Sequence, residues 1–249
     1  MSDNHRIPDG IKAVIFDLDG TLRVSRPDGH ELFWTYAAKL GAPDGPDRRR
    51  KALQWSHEYW ADSEDLLIDL KTYGKENDDF WLNYARRHLL ALGASRSQAD
   101  DWASQMNQFM RDNYDPEDVI PEDVIPTLIA LRARGYTLGV VTNRSEPVPE
   151  YLEEKGLLEH LHFQFAAGEI GTWKPKPEIF YYALGLANAK PNEALYVGDN
   201  YFADIVGARG ANILPVLIDP HDVWTGVADC PTIRAIGELD ALLPQREPE

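Results

Sequence analysis

The chain has 249 residues, of which 43% are hydrophobic and 27% charged, and its formal net charge is −16. This composition is typical of a soluble globular protein with one large domain or two modest ones. The acidic balance argues against nucleic acid as a partner, and no apolar run approaches the ~20 residues that span a membrane.

Two further features favour a cytoplasmic location. The first ten residues are polar and lack the apolar segment of a secretion signal. The single cysteine, Cys230, excludes an internal disulfide and fits a reducing compartment.

The first predicted strand, Ala13–Phe16, leads without a spacer into the sequence DLDGTL at residues 17–22. Asp17 and Asp19 therefore follow the carboxyl end of a buried strand, where open α/β sheets bind their ligands. Two carboxylates held this close repel each other, so a site that keeps both ionised usually holds a cation.

A long helical segment follows. From about Glu31 to Arg111 the periodicity is helical and predicts no strand. Structureless loops of this length are rare, so the segment is expected to form a subdomain of its own. Its hinges are expected near Arg23–Asp28 and Asn113–Pro121.

The rest of the chain alternates strands with helices, which predicts an α/β fold with a parallel sheet. The later strands are predicted at Thr137–Thr142, Phe163–Ala166, Leu195–Val197, Ile213–Ile218 and Thr232–Ile236. The helices between them are predicted at Thr127–Arg134, Pro149–Lys155, Pro177–Leu186, Phe202–Gly210 and Leu239–Leu243.

Three later segments carry polar residues in comparable places. Thr142 and Asn143 end one predicted strand, Asp199 follows another, and Asp204 begins the next helix; Lys174 opens the sequence KPKPEIF at residues 174–180. Together with DLDGTL, these segments resemble, in content and order, the four motifs of the haloacid dehalogenase-like (HAD) superfamily, phosphatase type.

The resemblance implies a Rossmann-like catalytic core, a parallel sheet flanked by helices, formed by residues 1–23 and 113–249. It also implies that residues 24–112 are an inserted all-helical cap of the superfamily's first class. Such a cap closes over the strand ends and excludes water from the reaction.

The resemblance also implies roles for the polar residues. Asp17 would be the nucleophile that forms an aspartyl-phosphate, and Asp19 the proton donor and later the base. Thr142, Asn143 and Lys174 would bind the phosphoryl group. The Lys174 ammonium would also balance the negative charges of Asp17 and Asp199.

A Mg²⁺ ion would be held by the Asp17 carboxylate, the Asp19 backbone carbonyl and Asp199, since oxygen ligands suit this ion. Asp204 is expected to support the site rather than to bind the metal directly.

The predicted function is therefore Mg²⁺-dependent hydrolysis of a phosphomonoester, with a small phosphorylated metabolite as substrate. The alternatives are a phosphomutase, a 2-haloacid dehalogenase and a non-catalytic binding or regulatory protein of the same fold. In a dehalogenase the proton donor Asp19 would be superfluous. The natural substrate and the oligomeric state stay open.

Some assignments have competing candidates. Lys176 competes with Lys174 as the functional lysine. Arg23, Arg86, Arg87 and His88 are further candidates for contact with an anionic substrate, although each is more often an ordinary surface residue.

Overall fold

A computed structural model describes residues 7–244 of the chain. The chain divides into two compact units: the first runs to Val24 and resumes at Ile120, and the second is Ser25–Val119. This division falls close to the predicted boundaries at 24 and 113, although the second crossing comes seven residues later. The role of the inserted unit as a cap stays a prediction.

The described residues contain eight strands in chain order. They are β1 (Ala13–Phe16), β2 (Val24–Arg26), β3 (Glu117–Val119), β4 (Thr137–Thr142), β5 (Phe163–Ala166), β6 (Ala194–Gly198), β7 (Leu214–Ile218) and β8 (Thr232–Ile233).

The same residues contain eleven α-helices. They are α1 (Gly29–Leu40), α2 (Pro46–Trp60), α3 (Glu64–Tyr73), α4 (Asp78–Leu92), α5 (Arg96–Asn113), α6 (Val124–Ala133), α7 (Pro149–Glu154), α8 (Ala167–Ile170), α9 (Pro177–Ala187), α10 (Gly207–Gly210) and α11 (Leu239–Leu242).

The first unit is built on a six-stranded parallel sheet in the order β5-β4-β1-β6-β7-β8. Alternate residues of its strands enter two hydrophobic cores, one on each face: Val14 and Phe16 of β1 join one core, and Ala13 and Ile15 join the other. Strands buried on both faces read as continuous apolar runs, which is why the sequence revealed them. The predicted Rossmann-like α/β fold is confirmed.

The second unit contains α1–α5, as the helical periodicity of this segment predicts. All five of its helices start with a side chain or a proline that suits a helix N-terminus. Pro46 opens α2, and the other four have a side chain that accepts a hydrogen bond from the first turn: Asp28, Ser63, Asn77 and Ser95. The three-residue strands β2 and β3, which pair at the two ends of this unit, were not predicted.

Two predicted elements differ from the observed ones. The predicted helix Phe202–Gly210 begins as a π-helix, Tyr201–Val206, and becomes α-helical only at α10. The predicted strand Thr232–Ile236 ends at Ile233 and is followed by a 3₁₀ helix, Ile236–Glu238. Across residues 7–244, no helix combines the length and apolar character needed to cross a membrane.

Candidate active site

The site is assembled where neighbouring strands of the sheet end. β1 and β6 are adjacent and parallel, and Phe16 pairs with Val197. The backbone N–H of Asp17 continues this ladder by donating to the Val197 carbonyl at 2.8 Å. Asp17 and Asp199 therefore leave the same edge of the sheet, as expected for the carboxyl ends of parallel strands.

Three carboxylates meet at this edge. One oxygen each from Asp17, Asp199 and Asp204 lie within 4.8 Å of one another. The Lys174 ammonium donates to Asp17 Oδ1 at 2.5 Å and to Asp204 Oδ1 at 2.7 Å. Asp17, Asp204 and Lys174 are all buried, and Asp199 is half-buried. With all acids ionised, three negative charges face one positive charge.

The π-helix positions Asp204. The Asn200 side chain accepts hydrogen bonds from the N–H groups of Phe202 and Ala203, and the Asn200 N–H donates to Asp204 Oδ2 at 2.9 Å. Gly198 leaves room for this arrangement, because a Cβ there would overlap the Asp204 carboxylate. Asp204 is therefore built into the site.

Gly20 has two structural reasons to be glycine. Its backbone φ is +88°, a value that residues with a side chain rarely adopt. A Cβ at this position would also overlap the Asp199 carboxylate. The neighbouring Thr21 hydroxyl donates to Asp199 Oδ1 at 3.4 Å. The turn after Asp19 thus packs directly against Asp199.

The carboxylates of this cluster are buried or half-buried with too little positive charge nearby, and this shifts the pKa values of the cluster. Burial raises the pKa of Asp17 to about 7, although Lys174 opposes the shift. Burial also raises the pKa of Asp199 well above its ordinary value, and the charge of Asp17 adds to this. Burial alone would lower the pKa of Lys174, but Asp17 and Asp204 outweigh it and raise that pKa.

Asp19 has different surroundings. Arg144 donates to both of its oxygens, from Nη2 at 2.7 Å and from Nε at 2.9 Å, and Arg23 forms an ion pair with Oδ1 at 2.8 Å. Burial alone would raise the pKa of Asp19, but the hydrogen bonds from Arg144 outweigh it and the pKa falls below its ordinary value. In this structure Asp19 is an ionised, paired carboxylate.

The residues at the end of β4 hold the site together. The buried Thr142 hydroxyl donates to Asp19 Oδ2 at 3.3 Å. The Asn143 side chain bonds the backbone of Lys174 twice, donating to its carbonyl at 3.0 Å and accepting from its N–H at 2.8 Å. The Asn143 side chain, which was expected to bind the phosphoryl group, thus fixes the start of the lysine segment.

The other candidates have contacts elsewhere. Arg86 bonds Asp100, Arg87 bonds Asp69, and His88 accepts from the Trp34 indole at 3.2 Å, all within the helical unit. Arg144 was missed from the sequence because a lone arginine after a strand is not a motif. Its significance comes from Asp19, 125 residues away in the chain.

The comparison with known families decides the assignment. The model of the haloacid dehalogenase-like hydrolases matches residues 11–212. The chain belongs to this family. The predicted superfamily and the prediction that the chain is a hydrolase are confirmed.

Two curated relatives show how far the likeness of this HAD-like hydrolase extends. It is 30% identical over 246 residues to haloacid dehalogenase-like hydrolase domain-containing protein 3 of Bos taurus, covering 96% of this chain and 94% of that protein. It is 32% identical over 212 residues to the glyceraldehyde 3-phosphate phosphatase of Methanopyrus kandleri, covering 84% of each.

Solved structures agree on the fold of this HAD-like hydrolase. The HAD phosphatase from Thermococcus onnurineus matches with a TM-score of 0.54 and 23% identity, covering 95% of this chain and 99% of that one. Solved dehalogenases match with TM-scores of 0.50 to 0.56. The fold therefore does not separate phosphate chemistry from dehalogenation, and the site residues must do so.

Proposed function

We propose that this protein is a Mg²⁺-dependent phosphomonoester hydrolase that acts on a small phosphorylated metabolite through an aspartyl-phosphate intermediate. One observation carries the proposal: three carboxylates lie together at the edge where β1 and β6 end, and one buried lysine pairs with two of them. Named phosphatases among the relatives, such as the Methanopyrus kandleri enzyme, support the same chemistry.

The charge and the donor set of the site fit a divalent cation. The three acids exceed Lys174 by two negative charges, and all their donor atoms are oxygens, which Mg²⁺ prefers. Asp17, the backbone carbonyl of Asp19 and Asp199 would hold the ion, with Asp204 supporting Lys174. When bound, the ion would neutralise phosphoryl oxygens and lower the raised pKa values of Asp17 and Asp199.

The nucleophile in the proposal is Asp17. Lys174 donates to Oδ1, so we assign the attack on phosphorus to Oδ2. This attack forms an Asp17–phosphorus bond and breaks the bond to the ester oxygen. Asp19 is ionised while Arg144 holds it, so it would first leave Arg144 and take up a proton from solvent, which it then gives to the ester oxygen. Asp19 then accepts a proton from the water that attacks phosphorus, and inorganic phosphate and free Asp17 are released.

Asp19 also bears on the alternatives. A dehalogenase expels halide, which needs no proton, so it has no use for a second carboxylate two residues after the nucleophile. A phosphomutase would keep every residue named here and would differ only in returning the phosphoryl group to the substrate. Measuring free phosphate against isomerised sugar phosphate separates these two activities.

The test is hydrolysis of p-nitrophenyl phosphate. We expect release of p-nitrophenol in MgCl₂ and none in EDTA, with loss of turnover in Asp17→Asn and in Asp19→Asn. Asp9→Asn, at an exposed position outside the site, is the matched control and should behave as the unsubstituted protein. Turnover that persists in EDTA or in Asp17→Asn would contradict the proposal. Halide release from a 2-haloacid would support a dehalogenase instead.

A further inference from the structure

Both oxygens of the Asp19 carboxylate are held by neighbouring side chains. Oδ1 accepts from Arg144 Nη2 and pairs with Arg23, while Oδ2 accepts from Arg144 Nε and from the Thr142 hydroxyl. Three hydrogen bonds and one ion pair therefore hold a carboxylate that offers about four lone-pair positions. Because the Arg144 guanidinium holds both oxygens, Asp19 would have to release Arg144 before either oxygen can serve a leaving group.

Arg144 is held in place for this contact. Its backbone N–H donates to the Thr142 hydroxyl at 3.3 Å, and its carbonyl accepts from the Gly168 N–H at 3.1 Å. Its guanidinium lies 4.3 Å from the centre of the Tyr151 ring. Backbone and side chain are thus fixed independently of Asp19, so the guanidinium would keep its position when Asp19 moves.

The local charge at Asp19 is opposite to that at Asp17. Two guanidinium groups face one carboxylate, which leaves one excess positive charge beside a cluster that is otherwise acidic. The side chains of Arg144 and Asp19 are 27% and 36% exposed, so a solute can reach them. A guanidinium fork binds carboxylate and phosphate oxygens in the same two-point geometry that Arg144 uses on Asp19.

We propose that Arg144 is a positioning and specificity residue that exchanges Asp19 for a second anionic group on the substrate. The preferred substrate is then a phosphomonoester that carries a second anion, such as a carboxylate, close to the ester. Binding of that anion releases Asp19 toward the ester oxygen, so recognition and proton transfer are coupled. The inference rests on the proposed hydrolase function and adds a substrate class to it.

The experiment compares two esters that differ in one group. 3-Phosphoglycerate carries a carboxylate where glycerol 3-phosphate carries a hydroxymethyl group. We measure kcat and KM for both with saturating MgCl₂, and the ratio of the two kcat/KM values cancels any general damage to the shared chemistry. The unsubstituted protein should prefer 3-phosphoglycerate by about tenfold or more, as a charge-assisted two-point contact requires.

Substitutions then locate the preference. Arg144→Gln should lower the ratio about tenfold, and Arg144→Lys should lower it by less, because an ammonium keeps the charge without the fork. Arg234→Gln removes an exposed arginine that pairs with Asp222 outside the site, and it should leave the ratio unchanged. A ratio near one in the unsubstituted protein, or an equal loss on both esters in Arg144→Gln, would overturn the inference.

Thermal shifts in the presence of each ester separate this inference from the proposed function. Greater protection by 3-phosphoglycerate that disappears in Arg144→Gln supports the anion site even if neither ester is hydrolysed. Hydrolysis of p-nitrophenyl phosphate together with an unchanged ratio would overturn the role of Arg144 and leave the hydrolase function standing.

Discussion

The α/β unit and the helical unit both bury carboxylates, but they balance the charge differently. In the helical unit, Asp69 is 2% exposed and each of its oxygens has a partner: the Tyr59 hydroxyl donates at 3.0 Å and Arg87 at 3.2 Å. In the α/β unit, Asp17 and Asp204 share the single ammonium of Lys174, and Asp199 adds a third acid.

The difference separates structure from function. A buried acid with its own cation and hydrogen bonds is a structural feature, because every charge is compensated inside the fold. A buried group with two excess negative charges weakens the fold unless something else binds there. Uncompensated burial therefore distinguishes the candidate active site from the structural acids of this molecule, and the predictions below test that contrast.

The largest effect is expected for the lysine that holds the acids together. Lys174→Gln leaves Asp17, Asp199 and Asp204 without a cation, so we expect a loss of kcat of about 10³-fold and a fall of about 3–5 kcal/mol in the free energy of unfolding. Lys176→Gln, two residues away in the same segment, is the matched control. Turnover and urea denaturation check both variants, and a larger effect at Lys176 would reverse the assignment.

Asp199→Asn should raise the stability of the metal-free protein, whereas Lys174→Gln should lower it. In metal-free buffer it removes one uncompensated charge, so the protein should unfold at a higher urea concentration. MgCl₂ should stabilise the unsubstituted protein by about 2.7 kcal/mol at a hundred times the dissociation constant, and Asp199→Asn by far less. Equal stabilisation of both proteins by MgCl₂ would place the ion elsewhere.

The compensated acid of the helical unit should behave as a structural residue. Asp69→Asn weakens the contact to Arg87, which keeps Asp65 as a partner at 2.8 Å. We expect the free energy of unfolding to fall by about 1–3 kcal/mol while the turnover of the folded fraction stays the same. A loss of turnover in fully folded Asp69→Asn would contradict the assignment of Asp69 as a purely structural residue.

The smallest effect concerns His88, which is 1% exposed and stacks on Phe33 with ring centres 4.1 Å apart. Burial lowers its pKa well below the ordinary value, and the charge of His30 adds to this. The unfolded chain therefore binds the proton more tightly, so stability falls as the pH drops below about 6.5, by up to about 1.4 kcal/mol per pH unit. His88→Gln should make the free energy of unfolding depend less on pH below about 6.5. An unchanged dependence would contradict the lowered pKa of His88.

Much of the α/β unit could be predicted because its signals are local. Four of the six sheet strands are apolar runs that end in acids, a hydroxyl residue or a turn, and β1, β4 and β5 have the predicted bounds. Asp17, Thr142, Lys174 and Asp199 could be proposed as site residues from the sequence because each lies at such a signal or belongs to a motif.

The features that the sequence did not predict depend on contacts between residues that are far apart in the chain. Arg144 matters only because the fold brings it to Asp19, and the Asn143 amide only because Lys174 lies beside it. The short strands β2 and β3 pair across more than ninety residues, so neither has a signal of its own. Long-range geometry, rather than residue type, decided these features.

The most direct test of the account is to trap the covalent intermediate. The protein is mixed with a ³²P-labelled phosphomonoester in MgCl₂ and quenched in acid, and the labelled peptide is identified. We predict a hydroxylamine-sensitive label on the peptide that contains Asp17, absent in Asp17→Asn and in EDTA. Turnover without any label, or a label that persists in Asp17→Asn, would contradict the central claim that the strand-end acids form a phosphoryl-transfer site.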